Sequence, residues 1–404
     1  MTNLLRPFIA IFTSLTLLIL ANGLCNTFIP IRLHLEGHTA DTIGFVTSSL
    51  YAGIFLGSLW LDRWISKVGH VPSLIVCTFL LTAFTLMQTL WIDPRYWAVL
   101  RLLGGVATAG LFIGIESWLL MQTAPKQRGS ILSIYLVVFY GSLSLGQLLI
   151  HFTDPMSLDP FYLIGGLSIA AIVPLLLNKI PQPPFEKTER LGAKKLFQTS
   201  PLGFSGVIIS GMIVAAVFGL IPVYAAQIGL SIPEVSNLVA LLIAGGLTFQ
   251  WPLGKLADLY GRRLILNCLS FATITICGVI AMTPTPPPFL LFTFIFLFGG
   301  CSFTIYPISM AYVCENVENH QIVSATGGFV LAYGVGAILG PIIAPMAMQY
   351  VGCHGLFYFL GLTMTVLLCI GAVYSNKKII IPEKSDLSQG IDVKSEEPLP
   401  KQEK

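Results

Sequence analysis

The sequence predicts an all-α polytopic membrane protein, with twelve transmembrane helices in two pseudo-symmetric six-helix bundles. Three observations predict it. Hydrophobic residues make up 55% of the 404 positions and charged residues only 10%, against about 25% charged in soluble domains. The mean hydropathy of +0.81 agrees, so lipid rather than water must solvate most of the chain. Apolar runs of about 20 residues, the length a bilayer demands, recur from one end of the chain to the other. The basic residues sort onto one side of those runs.

The elements follow in order. The first run, 8–33, comes directly after Met1 to Arg6. A signal peptide has an apolar region of only about 7–15 residues, so this longer run reads as an uncleaved first span. Further runs lie at 42–64, 71–92, 97–121, 130–151 and 158–178, which completes an N-terminal bundle over 1–178. The longest internal connection, 179–200, carries Pro181, Pro183, Pro184, Glu186, Lys187, Glu189, Arg190, Lys194 and Lys195, and reads as a cytoplasmic linker. A C-terminal bundle over 201–374 follows, with runs at 201–228, 234–256, 263–283, 288–313, 322–349 and 354–374. The stretch 375–404 is polar and proline-containing, the composition of a disordered tail.

Orientation follows from lysine and arginine, which accumulate on the cytoplasmic side. An even number of spans places both termini together. Arg6, Arg63, Lys67, Lys126, Arg128, the linker cations, Lys255, Arg262, Arg263 and the tail lysines share that side. Of the 22 basic residues, only Arg32, Arg95 and Arg101 do not. Both termini are therefore expected in the cytoplasm, and a missed span would scramble the pattern.

Composition also excludes functions. A net charge of +3 with no basic block interleaved with aromatic residues argues against nucleic-acid binding. Of the eight cysteines, Cys25, Cys77, Cys268, Cys277, Cys301, Cys314 and Cys369 lie within or at the ends of apolar runs, and none forms a CxxC pair. They read as packing residues, with neither zinc site nor disulfide framework. His34, His38, His70, His151, His320 and His354 are scattered near loops, so an intramembrane enzyme lacks its catalytic cluster. No metal or cofactor is expected. No phosphate-binding P-loop is present, so any transport would draw on a gradient or on the cargo itself.

The sharpest motif is Gly254-Lys255-Leu256-Ala257-Asp258-Leu259-Tyr260-Gly261-Arg262-Arg263, between the eighth and ninth spans. Gly254 would let helices approach, and Gly261 would permit a tight turn. Arg262 and Arg263 would hold the loop in the cytoplasm, and Asp258 could meet the positive N-terminus of a neighbouring helix. This decapeptide resembles the loop signature of the major facilitator superfamily, G-x-L-A-D-x-x-G-R-R, in the expected place. The resemblance implies that the neighbour is the eleventh span and that the contact steadies an outward-open state. The matching loop of the first half, between the second and third spans, reads Gly57, Asp62-Arg63 and Lys67-Val68-Gly69-His70. Its glycine and basic elements are present with stretched spacing, which leaves the role of Asp62 open.

The fourth span opens with Arg101-Leu102-Leu103-Gly104-Gly105-Val106-Ala107-Thr108-Ala109-Gly110. An arginine inside an apolar span usually faces a cavity or a partner, although here it could snorkel to the nearer interface. The stretch resembles the superfamily's fourth-helix motif, whose arginine is linked in relatives to substrate or proton coupling. Glu116 is the one carboxylate well inside a predicted span. It stands about 22 Å along the helix from Arg101 at 1.5 Å per residue, too far to pair with it. Its two readings are proton or substrate work, and a lock with Lys126 or Arg128. Glu116-Ser117-Trp118-Leu119, Arg128-Gly129, Tyr140 and Gly146-Gln147 together resemble the YcaD-type branch of the superfamily, whose substrates are largely unassigned.

Ser142-x-x-x-Gly146-Gln147 in the fifth span parallels Gly336-x-x-x-Gly340-Pro341 in the eleventh. Parallel halves with a binding site between them near mid-depth are what transporters of this architecture predict. The glycine pairs Gly53 and Gly57, Gly110 and Gly114, and Gly336 and Gly340 read first as close packing. Pro222, Pro252 and Pro307 are expected to kink their helices. Candidate residues of the substrate or proton pathway are Asn22, Arg101, Glu116, Tyr140, Gln147, Tyr306 and Tyr333. Those of the cytoplasmic gate are Gly254, Asp258, Gly261, Arg262 and Arg263, with Asp62, Arg63, Lys67 and Gly69. The cavity set is poor in fixed charge, so the expected partners are a small neutral or weakly charged amphipathic molecule, protons as coupling ion and the lipid bilayer. The resemblance implies a monomer in a bacterial inner membrane, running efflux or uptake. A transporter-derived sensor or scaffold is the alternative, though the tail is short for an output domain.

Overall fold

The computed structural model describes residues 8–123, 127–177, 193–283, 287–315 and 322–373, and those residues are helical with short connections. The first half comprises α1 (Ile9–Leu35), α2 (Ala40–Ser58), α3 (Leu61–Val68), α4 (His70–Met87), α5 (Pro94–Met121), α6 (Arg128–Leu148), α7 (Asp159–Ala170) and α8 (Ile172–Leu177). A short helix, α9 (Ala193–Thr199), leads into α10 (Pro201–Gln227), α11 (Ile232–Tyr260), α12 (Arg262–Met282), α13 (Pro288–Cys314), α14 (Ile322–Val351) and α15 (Gly355–Val373). Among the described residues, eleven helices are long and apolar enough to cross a membrane, and the bent pair α2–α3 makes a twelfth span. The expected linker lies outside the described residues as far as 192, as does the tail from 374.

Helix starts follow local chemistry. The Asp93 side chain accepts from the Arg95 and Tyr96 amides at 2.9 Å each, with Pro94 pre-set at the first helical position. Ser231 and Glu234 form a reciprocal capping box at the head of α11, which satisfies amides that have no partner within the helix.

The expected proline kinks mislead as guides to where a helix breaks. α10, α11 and α13 run on through Pro222, Pro252 and Pro307. The marked bend, 57° between α2 and α3, contains no proline. It falls at Leu59-Trp60, where the chain leaves helical geometry (Trp60 φ −139°). The cause is the sequence that follows. Leu61 and Ile65 are buried one turn apart, while Asp62, Arg63, Ser66 and Lys67 carry the polar face. A continued straight span would carry Leu61 and Ile65 off the protein and out of the membrane, losing their burial. An amphipathic turn laid against α5 avoids it.

The two halves repeat each other's contacts. α1 packs on α6 and α2 on α5 in the first half, as α10 packs on α14 and α11 on α13 in the second. Two glycines show how close these approaches are. A Cβ at Gly53 would come within 1.9 Å of the Leu102 carbonyl, and at the matching place a Cβ at Gly245 within 2.0 Å of the Phe296 carbonyl. Lipid supplies no hydrophobic drive between helices, so such backbone contact carries the association.

The halves meet along α2–α14, α6–α11, α1–α10 and α2–α10. Hydrogen bonds across this seam gather at mid-depth and toward the end away from the described termini. Ser48 Oγ donates to the Ile338 carbonyl at 2.6 Å, Ser144 Oγ to that of Ala240 at 2.9 Å, and Ser236 Oγ to that of Gln147 at 2.7 Å. Asp41 accepts from Gln349 at the same far end.

Candidate functional site

The fourth span, α5, carries both charged candidates, and the structure sends them to different surroundings. Arg101 is buried, 8% exposed, so it does not snorkel to the interface. Its Nη1 donates to Cys25 Sγ of α1 at 3.2 Å, and its Nε has no partner. Tyr51 of α2 lies within the reach of its charge. Glu116, deep in the same helix, is exposed rather than sealed. Tyr135 of α6, itself buried, donates its hydroxyl to Glu116 Oε1 at 2.9 Å. The alternative partners expected for Glu116, Lys126 and the Arg128 side chain, lie outside the description.

Around Glu116 the aromatic candidates converge from both halves. Tyr306 lies within electrostatic reach of both Glu116 and Tyr140. The Tyr306 and Tyr333 rings meet edge to face with centroids 5.3 Å apart, a favourable arrangement for the ring quadrupoles. Tyr140 of α6 meets Phe303 of α13 at 6.3 Å, and Phe303 meets Phe218 of α10 at 5.9 Å. Tyr333 also lies within reach of Tyr51. A chain of polar aromatic groups thus links Glu116 through Tyr306, Tyr333 and Tyr51 to Arg101, with Tyr140 within reach of Tyr306 and Tyr333.

Two candidates sit apart from that chain. Asn22 accepts from Asn26 Nδ2 at 2.7 Å and lines a small recess inside the first half, with Leu15, Leu18, Thr108 and Phe112. Gln147 is fully buried at the seam, where its side chain accepts from Thr27 and its carbonyl accepts from Ser236. Tyr51, Cys25, Tyr135, Phe218 and Phe303 belong to the site without having been singled out from sequence. Tyr51 and Tyr135 gave the same signal as Tyr140, a phenol within an apolar run. Cys25 gave none, since packing alone accounts for a buried thiol.

The gate residues occupy the end that bears the termini. Gly261 has φ +93° and Gly69 has φ +97°, so both loops use a turn that side-chain-bearing residues rarely adopt. Asp258, largely exposed, meets Arg262 Nη2 at 2.9 Å. Arg262 Nη1 reaches Glu315 Oε1 of the loop after α13 at 2.5 Å and donates to the Ala311 carbonyl at 3.3 Å. Arg263 donates to the Gly371 carbonyl of α15 at 2.9 Å. Asp258 therefore engages its own loop's arginine; residues 316–321, which precede the eleventh span, lie outside the description. A Cβ at Gly254 would meet nothing, so the close approach expected there is not made in this conformation.

In the first loop, Asp62 accepts from the Arg63 amide at 2.8 Å, and Lys67 is exposed. Counting back from the glycine turn places Ser66, not Asp62, in the register of Asp258, and His70 in that of Arg262. His70 is 1% exposed, and its Nε2 lies 3.1 Å from Ser117 Oγ, beside Glu116. Among the described residues, no three histidine, cysteine or acidic side chains group as a metal site would require.

Comparison with known proteins places this architecture. A family model described as Major Facilitator Superfamily matches residues 11–321 and 203–395. An uncharacterized MFS-type transporter of Enterobacter sp. (strain 638) is 34% identical over 357 residues, covering 86% of this chain and 91% of the relative. The uncharacterized MFS-type transporter YcaD of Escherichia coli O139:H28 (strain E24377A / ETEC) is 33% identical over 353 residues, with the same coverage. Among solved structures, the nucleoside transporter NupG superposes with a TM-score of 0.75 at 17% identity, over 91% of this chain and 98% of its own. A D-xylose-proton symporter superposes with a TM-score of 0.70 at 14% identity, over 90% and 96%.

Proposed function

The chain belongs to the major facilitator superfamily, whose members are secondary transporters, and on that premise we propose that it moves a small amphipathic molecule by alternating access with protons as the coupling ion. The membrane is a bacterial inner (plasma) membrane, both termini are cytoplasmic, and the protein works as a monomer. The sidedness of the basic residues supports the orientation. On that orientation the hydrogen-bonded far end of the seam is the periplasmic end, which supports an inward-facing reading of this conformation. Asn22 and Gln147 serve as cavity wall and seam rather than as contacts to the coupling site.

The observation that carries the reading is Glu116. A carboxylate inside a lipid-spanning helix is expensive and marks a functional pathway. This one is exposed to the space between the halves while held by the Tyr135 hydroxyl. Such a group can take a proton from the cytoplasmic side, with Tyr135 and Tyr306 close enough to sense the change. The fold accommodates such coupling, since one of its solved neighbours is a D-xylose-proton symporter.

The test is a thermal-shift screen of the purified wild type and Glu116→Gln against a broad small-molecule library at two pH values. A ligand that binds only the folded state stabilises it by roughly 2.7 kcal/mol at a hundred times its dissociation constant. The expected result is a compound that stabilises the wild type to a pH-dependent extent, with that dependence lost in Glu116→Gln. Binding that ignores pH, with the variant matching the wild type, would make Glu116 a structural residue.

A further inference from the structure

We propose that Cys353, His354 and Tyr224 form a binding site for a thiophilic divalent metal ion of the zinc class, at the far end of the second half; the proposal goes beyond the transporter reading and does not depend on it. Cys353 is the eighth cysteine, the one that falls in a connection rather than in an apolar run. That connection, between α14 and α15, is held firmly. Gly352 turns the chain with φ +80°, and its carbonyl accepts from the Gly355 amide at 2.8 Å. Gly355 packs so closely on α14 that a Cβ there would come within 2.2 Å of the Ala347 carbonyl. Cys353 Sγ then lies 3.4 Å from His354 Nδ1. In a tetrahedral zinc site, with Zn–S about 2.3 Å and Zn–N about 2.0–2.1 Å, sulfur and nitrogen stand about 3.5 Å apart. The two donors are therefore already spaced as one edge of such a site.

The third donor comes from α10. Tyr224 is fully buried, and its hydroxyl has no hydrogen-bond partner. Its ring is held edge to face by Phe357 at 4.9 Å and by His354 at 5.7 Å, and its hydroxyl lies within electrostatic reach of Cys353. His354 Nε2 is a second buried atom without a partner. Leaving buried polar atoms unsatisfied costs free energy, and two of them beside one thiol mark a place that a ligand completes. Zinc takes sulfur, nitrogen and oxygen donors. Because the third donor here is a phenol, the cluster stands outside any grouping of histidine, cysteine and acidic side chains alone. Cys353 and His354 are only half-buried, which leaves an approach and a fourth position open to solvent. On binding, the thiol gives its proton to solvent and the sulfur takes the ion. A bound ion ties the connection between α14 and α15 to α10, whose Gly219 lies against Thr47 of α2 across the seam, and so braces the closed far end.

The probe is zinc chloride, titrated into the full-length protein in detergent after chelator treatment and removal of the chelator. The wild type is expected to take up one equivalent by calorimetry and to melt about 2 °C or more higher at saturation, an effect that a chelator reverses. Cobalt(II) in place of zinc should give the visible bands of a tetrahedral thiolate site. Cys353→Ser and His354→Gln should each abolish the uptake and the bands. Tyr224→Phe keeps both ring contacts, so its affinity reads the hydroxyl rather than the fold, and should fall about tenfold or more. Cys268→Ser, which removes an exposed thiol elsewhere, should bind zinc as the wild type does. No zinc uptake by the wild type, uptake that survives Cys353→Ser or His354→Gln, or a Tyr224→Phe equal to the wild type would each overturn the three-donor site. Uptake of silver(I) without zinc would do the same, since it would show an ordinary thiol rather than a tetrahedral site.

Discussion

The loops after the second and eighth spans are built on the same turn and held by opposite chemistry. Both pass through a glycine with positive φ, +97° at Gly69 and +93° at Gly261. After Gly261 comes Arg262, a permanent charge shared between Asp258 and Glu315 at the aqueous surface. After Gly69 comes His70, buried and in contact with Ser117 beside Glu116. The difference teaches what a duplicated fold must keep. The backbone turn is set by sterics that few residues satisfy, so both copies retain it. The fastening is set by side chains, and each half uses its own. The first half ties its loop, through His70 and Ser117, to the helix that carries Glu116.

Substitutions can break this comparison, in decreasing order of effect. His70→Ala removes a fully buried ring and its hydrogen bond and should cost about 2 kcal/mol, measured by thermal melting in detergent. A loss below that of Arg262→Ala would refute the buried fastening. Gly69→Val and Gly261→Val should each cost about 1–2 kcal/mol, because a β-branched residue resists positive φ; unequal losses would mean the two turns are not equivalent. Arg262→Ala should cost about 1 kcal/mol, the scale of partly exposed ion pairs. Its effect should shrink in high salt, whereas that of His70→Ala should not.

Much of the fold was legible in the sequence, because lipid requires long apolar runs and because Asp93-Pro94 and Ser231 through Glu234 announce helix starts locally. The bend at Leu59-Trp60 was not, since the visible signals were prolines and the operative one was the buried pair Leu61 and Ile65 beneath the polar face of Asp62, Arg63, Ser66 and Lys67. The site was legible residue by residue but not as an arrangement. Glu116, Tyr140, Tyr306 and Tyr333 stood out as polar groups at lipid depth. Their meeting, and the entry of Tyr135, Tyr51 and Cys25, depend on how α1, α2, α5, α6, α13 and α14 pack, which no local pattern encodes. Gln147 had the same signature and went to the seam, where its side-chain oxygen accepts from Thr27 and its backbone carbonyl from Ser236.

The central claim is that the two halves rock about a seam that is closed here at its far end, under the control of Glu116. The most direct measurement places a single cysteine at Ser236, in a background without other reactive thiols, and follows its labelling by a membrane-impermeant reagent from the periplasmic side across about pH 5–8, the range in which proton-coupled sites commonly titrate. The account predicts slow labelling whose rate changes with pH in the wild type, and a rate independent of pH in Glu116→Gln. Labelling that never occurs, or that proceeds at one rate at every pH in both proteins, would contradict it.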